Sequence, residues 1–325
     1  MRRMLKRMTR RSLLGATVAT MAAAALPALA QDEFPTGPIR IIVSSTAGSG
    51  IDLAARIVAD GLSRELGQPV LVENKPGAAG LVAVQYLHSL PADGHAIMLM
   101  SPSLTIQTAR DPSKFDIRRD IAPIVQQSAQ AMVLFAKAGR EFDTLQGFID
   151  YAKKNPGKLN YASLGSGSLQ HLLTEQFKLV TGVDIAHIPY NGSNQDVAAI
   201  LSGEVDVDFS GLIGIKPLID EGKIIPLAVS TADSFQGIIG MKEAGVDGFD
   251  FPVWTGYGAH PDTPEAVIRK LNEAINAAFK QPEVIAKFAN LYVPVGGTPE
   301  DLRKLIDREV ESWETVIEKS GITFE

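Results

Sequence analysis

The sequence predicts an α/β protein of two lobes, each a mostly parallel sheet flanked by helices, facing each other across a cleft. Three observations predict it. First, Ile39-Arg40-Ile41-Ile42-Val43 is a β-branched run with the composition of a buried strand, followed by a small, polar, glycine-bearing stretch at 44–50. Helical spacing then takes over, with Ile51, Ala54, Ala55, Val58 and Leu62 on one face. Second, the same order returns at 159–180. There Ser163-Leu164-Gly165-Ser166-Gly167-Ser168 separates a short strand from a helix bearing Leu169, Leu172, Leu173, Phe177 and Val180. Third, the segments around these units alternate between strand and helix patterns. A strand that turns through a Gly/Ser loop into a helix aims free backbone N–H groups above the strand. The helix dipole adds partial positive charge there, which suits a small anion.

The elements follow in order. After the lead-in Phe34-Pro35-Thr36-Gly37-Pro38, the first strand, loop and helix occupy 39–66, and 69–73 reads as the next strand. Asn74-Lys75-Pro76-Gly77-Ala78-Ala79-Gly80 turns into a helix at about 81–89, and 95–100 is a buried strand. Ser101-Pro102-Ser103 closes it. Ligands in such sheets gather at the carboxyl ends of strands, so Ser101 and Ser103 join the candidate cleft residues. Two apolar runs within 121–136 carry the crossing into the second lobe. A helix at 144–154 precedes the second Gly/Ser loop. Strand 184–188, the turn Pro189-Tyr190-Asn191-Gly192, helix 194–202, strand 205–209, helix 216–222 and strand 224–230 complete that lobe. A loop at 245–252 leads back to amphipathic helices at 264–279, 282–290 and 299–319, each opened by proline, whose missing N–H costs nothing in a first turn. The lobes are expected at 31–127 plus 231–325, and at 128–230, with hinge segments at 126–130 and 231–233.

Composition fits an ordinary globular chain of two domains: 325 residues, 45% apolar and 21% charged. The first thirty residues read as a cleaved export signal. Arg2, Arg3, Lys6, Arg7, Arg10 and Arg11 form a basic start, 13–26 is a modest apolar stretch, and Ala28-Leu29-Ala30 supplies an A-x-A cleavage site. Thr9-Arg10-Arg11-Ser12-Leu13-Leu14 has a twin-arginine pattern, and Tat and Sec export both stay open. Losing this segment removes six basic residues and no acid, so the formal charge moves from −6 to −12. A body this acidic argues against nucleic-acid binding and leaves anion capture to local dipoles. The chain has no cysteine, which excludes disulfides, thiolate metal sites, a cysteine nucleophile and a lipoprotein anchor. No stretch is long and apolar enough to span a membrane.

The ordered set FPTGPIRIIVSSTAGSGIDLAAR, GQPVLVENKPGAAG, LPADGHAIML, YASLGSGSLQHLLTEQFKLVTGVDIAHIPYNGS, LSGEVDVDF, the segment around Trp254 and GTPEDLRKLIDREVESWETVI resembles the tripartite tricarboxylate transporter substrate-binding proteins, or Bug family. The resemblance spans 31–325. It implies a type II periplasmic binding protein fold, a small organic anion enclosed between the lobes, and delivery to a membrane permease, by a monomer that needs no cofactor or metal. The family's carboxylate loops fall on 44–52 and 163–171. Several positions depart from the family pattern. Ser44-Ser45 replaces a Pro-Phe pair, Ser49 and Ala79 replace glycines, and Asn191 stands where a lysine is common.

Ser45, Thr46, Ala47, Gly48 and Ser49 are the candidate ligand contacts of the first loop. Ser49-Gly50-Ile51-Asp52 also fits a capping box, so Asp52 either caps the helix or reaches the ligand. In the second loop Gly165, Ser166, Gly167 and Ser168 are the candidates. His171 lies in the first helical turn, where the dipole favours a neutral ring that contacts the ligand or holds the loop by donating an N–H. Tyr190 either lines the cleft or packs under its turn. Asp206 and Asp208 share one strand face, and Asp208 either belongs to a solvated edge or orients a ligand hydroxyl. No nucleophile-elbow, dinucleotide, Walker or H-E-x-x-H spacing is present. The expected function is solute binding without catalysis. A ligand sensor for a membrane receptor, or a hydrolase or isomerase on the same fold, is the alternative.

Overall fold

A computed structural model describes residues 34–190, 193–288, 292–322 and 324. The export-signal reading of 1–30 lies outside them, as do Asn191, Gly192 and Asn290. The chain divides after Thr36, and the architecture below is that of the unit from Gly37 onward.

In chain order the first elements are β1 (Ile39–Val43), α1 (Gly50–Leu66), β2 (Val70–Asn74), α2 (Leu81–His88), β3 (Ala96–Met100), α3 (Pro102–Arg110), α4 (Ile117–Asp120) and β4 (Ala122–Gln130). Next come β5 (Met132–Lys137), α5 (Leu145–Lys154), β6 (Asn160–Ser163), α6 (Leu169–Thr181), β7 (Ala186–Pro189), α7 (Ser193–Ser202), β8 (Val207–Gly211), α8 (Leu212–Asp220) and β9 (Ile224–Val229). The chain then returns through β10 (Val253–Ala259), α9 (Glu265–Ala278), α10 (Pro282–Phe288), β11 (Val293–Gly296) and α11 (Pro299–Ser320).

Two sheets result. The first is ordered β11-β4-β10-β3-β1-β2 and the second β7-β6-β8-β5-β9. Each is mixed rather than mostly parallel. Strands β2, β1 and β3 run parallel, with Ile39 opposite Val70 and Arg40 opposite Ala96, whereas β10, β4 and β11 are antiparallel to their neighbours. In the second sheet β7, β6 and β8 are parallel, and β5 runs against both β8 and β9. The parallel part of each sheet carries a Gly/Ser loop at a carboxyl end, where helical crossovers require loops above the sheet.

Local chemistry explains where the helices start. Ser49 caps α1 by accepting the Asp52 N–H at 3.3 Å, and Gly67 ends it at φ +63°. Thr298 and Asp301 form a reciprocal capping box on α11, with Pro299 at its first turn. The buried faces match the periodicity. Ala54, Ala55, Val58 and Leu62 of α1 are fully buried, and so are Leu172, Leu173 and Phe177 of α6.

Some of the topology departs from the sequence expectation. Strand β4 stays in the first sheet through Gln130, so the crossing falls at Ala131 rather than between 127 and 128. Helix α11 serves both lobes. Leu302, Ile306 and Val310 pack with Trp254, Met98 and Met100 under the first sheet, while Trp313 and Val316 join Phe177, Phe209 and Phe249 under the second. Strands β10 and β11 and helices α3 and α4 are absent from the sequence expectation, and α8 starts at Leu212 rather than 216.

Candidate ligand-binding loops

The first loop is built around Asp52. Its carboxylate accepts from Gly48 N–H at 2.9 Å, from Arg56 Nε and Nη2 at 3.0 Å each, and from Asn74 Nδ2 at 2.8 Å. Asn74 also donates to the Ser45 carbonyl, which ties the loop to the end of β2. The Arg56 hydrogen bonds, helped by Gly48 and Asn74, hold the Asp52 carboxyl down at about 2. Asp52 is buried with its lone pairs engaged, and it anchors the loop. Ser45 and Ser49 share a hydroxyl hydrogen bond of 2.7 Å. Ser49 N–H donates to the Thr46 carbonyl. The backbone N–H groups of Ala47, Gly50 and Ile51 have no acceptor among the described residues.

The second loop rests on aromatic rings. Tyr161, His187 and His171 stack in series, with centroids 5.0 Å apart for the first pair and 4.0 Å for the second. His171 Nδ1 accepts the Gly167 N–H at 3.1 Å, so the ring holds the loop by accepting where donation was expected. His187 Nε2 meets Ser163 Oγ at 2.6 Å, and Ser163 Oγ in turn accepts the Gly165 N–H at 3.1 Å. Burial, reinforced by His187, pushes His171 down to about 4, and burial lowers His187 as well. Both rings are neutral at pH 7, which the Nδ1 acceptor role requires. Ser168 caps α6 by accepting the His171 N–H. The N–H groups of Ser166, Leu169 and Gln170 have no acceptor among the described residues.

Gly167 sits at φ +77°, and a Cβ there would lie 2.6 Å from the Phe324 ring. Around it a cavity of about 510 Å³ is lined by Ser166, Gly167, Ser168, Leu164 and Phe324 from one side, and by Ala78, Ala79, Leu81, Gln107 and Arg110 from the other. The cavity therefore joins the second loop to the turn after β2 and to α3. Ala78 and Ala79 both adopt positive φ, +46° and +50°, at a cost of roughly 1–2 kcal/mol each. The residues at 45–49 do not line this cavity.

The remaining candidates lie elsewhere. Ser101 and Ser103 share a hydroxyl hydrogen bond of 2.8 Å at the start of α3 and are half-buried. The Tyr190 hydroxyl donates to Glu204 at 3.3 Å while its ring packs on the second-lobe core. Asp208 is a correction: it is fully buried, its carboxyl oxygens have no hydrogen-bond partner among the described residues, and it sits on no solvated edge. Helices α7 and α8 cover its face of the sheet, with Ile200 and Ile215 packed against Phe135. Burial, and then the nearby Asp196, raise the Asp208 carboxyl well above its usual range. Asp206 instead pairs with Arg140 and accepts the Asn160 N–H at 2.7 Å.

The sign of the Asp208 effect follows. The folded state keeps a proton that the unfolded chain releases above about pH 4, so native stability falls as pH rises from there. Asp208→Asn removes this titration, so its stability relative to the native chain is expected to be higher at pH 7 than at pH 4. Urea unfolding at both pH values checks it.

A family model for tripartite tricarboxylate transporter receptors matches residues 54–322. The chain belongs to this family. Protein BugT of Bordetella pertussis is 32% identical over 317 residues, covering 95% of this chain and 97% of BugT. Among solved structures, Rpa4515 of R. palustris with adipate is 30% identical with a TM-score of 0.74, covering 90% of this chain and 99% of that one. MatC from Rhodopseudomonas palustris with bound malate is 26% identical with a TM-score of 0.71, covering 87% and 100%. This tripartite tricarboxylate transporter receptor is accordingly a solute-binding protein of the two-lobed periplasmic type. Among its described residues no helix is long and apolar enough to cross a membrane.

Sequence reasoning missed three residues beside the receptor's loops. Tyr292 places its hydroxyl 2.9 Å from where a Cβ on Gly50 would stand, over the start of α1, and Gln130 hydrogen-bonds that hydroxyl. His187 reaches the second loop only through the parallel pairing of β6 and β7. None of these has a local motif that would single it out.

Proposed function

We propose that this receptor captures a small organic carboxylate between the loops at 44–49 and 163–168 and delivers it to the membrane subunits of a tripartite transporter. The observation that carries the reading is the pair of strand–loop–helix units, each leaving unpaired N–H groups at a helix N-terminus, with hydroxyls alongside. Two relatives bound to adipate and malate support the ligand class. In this reading the protein is exported by its N-terminal segment, acts as a monomer and performs no chemistry. The two lobes, one on each sheet, close about the segments that cross between them at Ala131 and between β9 and β10. Water bridges fill space that the small loop side chains leave.

A thermal-shift screen of the purified protein against mono-, di- and tricarboxylates tests it. A ligand at about one hundred times its Kd adds roughly 2.7 kcal/mol of native stability. At about 2–4 °C per kcal/mol for 150–250 residues, and somewhat less for a longer chain, that corresponds to a rise of a few degrees. A flat profile with folded, ligand-free protein overturns the carboxylate reading.

A further inference from the structure

We propose that Tyr292 is a ligand-positioning residue of the first loop, donating its hydroxyl proton to the carboxylate held at the start of α1. The inference rests on the carboxylate reading above and deepens it, by naming a contact that neither Gly/Ser loop supplies. Tyr292 lies between α10 and β11. Its side chain is buried, 8% exposed, with the ring 5.9 Å from that of Phe288. The hydroxyl stands over Gly50, the first residue of α1. A Cβ on Gly50 would lie 2.9 Å from that oxygen and 4.0 Å from the ring carbon that bears it. Gly50 has no positive φ, so its backbone does not call for glycine; the approach of the hydroxyl does.

The hydroxyl is partnered on one side only. The Gln130 hydrogen bond favours its ionised form, so the amide donates and the phenol oxygen accepts. The proton is left over, and among the described residues no acceptor takes it. A buried phenol ordinarily finds a partner for its O–H. Burial raises the hydroxyl above its usual range, so the proton is present at neutral pH. The groups beside it are donors as well. The N–H groups of Ala47, Gly50 and Ile51 have no acceptor among the described residues. The Asp52 carboxylate is already filled by Gly48, Asn74 and Arg56. Donors that lack an acceptor therefore converge on the start of α1, from the helix itself and from Tyr292 above it, and a carboxylate oxygen meets both.

The test is isothermal titration of the purified full chain with acetate, lactate, malate, adipate and citrate at neutral pH. Tyr292→Phe keeps the ring and removes the hydroxyl. It is expected to raise Kd about 10- to 100-fold for each of these acids that the native chain binds, the range of a hydrogen bond to a charged acceptor. The urea midpoint of the ligand-free variant stays native. A ligand-induced change in near-ultraviolet tyrosine absorption is expected in the native chain and lost in Tyr292→Phe. Gly50→Ala presses a methyl against the hydroxyl and weakens binding in the native background. In the Tyr292→Phe background the same methyl meets only the ring carbon, at 4.0 Å, and adds no further loss. Native affinity in Tyr292→Phe overturns the proposal while the carboxylate reading stands. So does an equal Gly50→Ala loss in both backgrounds, which places the methyl against the ligand and not the hydroxyl. A Tyr292→Phe affinity loss matched by a fall in ligand-free stability assigns the residue to packing and also overturns it. Absence of binding by every acid to folded, ligand-free native protein removes the carboxylate reading and this proposal with it.

Discussion

Replacing Gly167 by valine is expected to abolish carboxylate binding, raising Kd by more than about 100-fold, while the protein stays folded. Three consequences meet at this position. The backbone is at φ +77°, which a β-branched residue does not hold, so the peptide must rotate. Rotation takes the Gly167 N–H away from His171 Nδ1, which is the contact that fixes the loop over the stacked rings. The new Cβ also falls 2.6 Å from Phe324, so relief on that side requires the ring to leave. Hydrogen bonds from the loop to a carboxylate are worth about 1.5–3 kcal/mol each, and misaiming two of them accounts for the expected loss. Gly182, at the end of the same helix, separates strain from function. It has φ +71° and open space around its missing Cβ. Gly182→Val carries a similar backbone cost, roughly 1–2 kcal/mol, and is expected to leave Kd unchanged. Equal affinity losses in the two variants would assign the effect to general destabilisation.

The loops were legible because each is a change of period. A β-branched run, a glycine-bearing turn and a 3.6-residue repeat are local signals, and β1, α1, β6 and α6 depend on little else. Strand β10 gives no such signal. Its VWTGYGA contains two glycines, which weaken a strand pattern, yet a Cβ on Gly256 would meet Leu302 at 3.0 Å and one on Gly258 would meet Ile121 at 2.4 Å. Those glycines permit close packing in a central strand, a requirement visible only once α11 and α4 are placed. Helix α3 was hidden by PSLTIQTAR, whose helix propensity is poor. Its packing on α11, with Thr105 donating to Glu309 at 2.8 Å, supplies what propensity does not. The alternation in Val207-Asp208-Phe209 correctly separated two faces, but in a sheet with helices on both sides the polar face is not thereby a wet one. The solvated-edge alternative for Asp208 fails for that reason.

Asp52→Asn is expected to lower stability at pH 7 by about 2–3 kcal/mol and to weaken ligand binding through the first loop. The argument begins with linkage. The Asp52 carboxyl titrates at about 2 in the folded chain against a model value of 3.8, a difference worth on the order of 2 kcal/mol at neutral pH. Because the folded value is the lower one, this contribution is fully present above about pH 4 and is lost as pH falls through 2. Geometry adds to it. Asparagine keeps the size of the side chain but presents only one oxygen, whereas Asp52 receives Gly48, Asn74 and two nitrogens of Arg56. Its amide nitrogen would face one of these donors, and Gly48 N–H or Asn74 Nδ2 would lose its acceptor. Arg56 is half-exposed and returns to water, so the cost stays below the 3–5 kcal/mol typical of breaking a fully buried pair. Urea unfolding of the native chain and of Asp52→Asn at pH 7, 5 and 3.5 tests the sign: the gap should be constant from pH 7 to 5 and narrow at 3.5. A gap independent of pH would show that the carboxylate's charge is irrelevant and that only its shape holds the loop. The same variant separates anchoring from contact. If Asp52 acts only by fixing residues 45–49, the affinity loss will track the loss of loop order for every carboxylate tested. If its charge instead repels a ligand's second anionic group, the variant will bind diacids relatively better than monoacids, which the burial of its carboxylate and its four donors argue against.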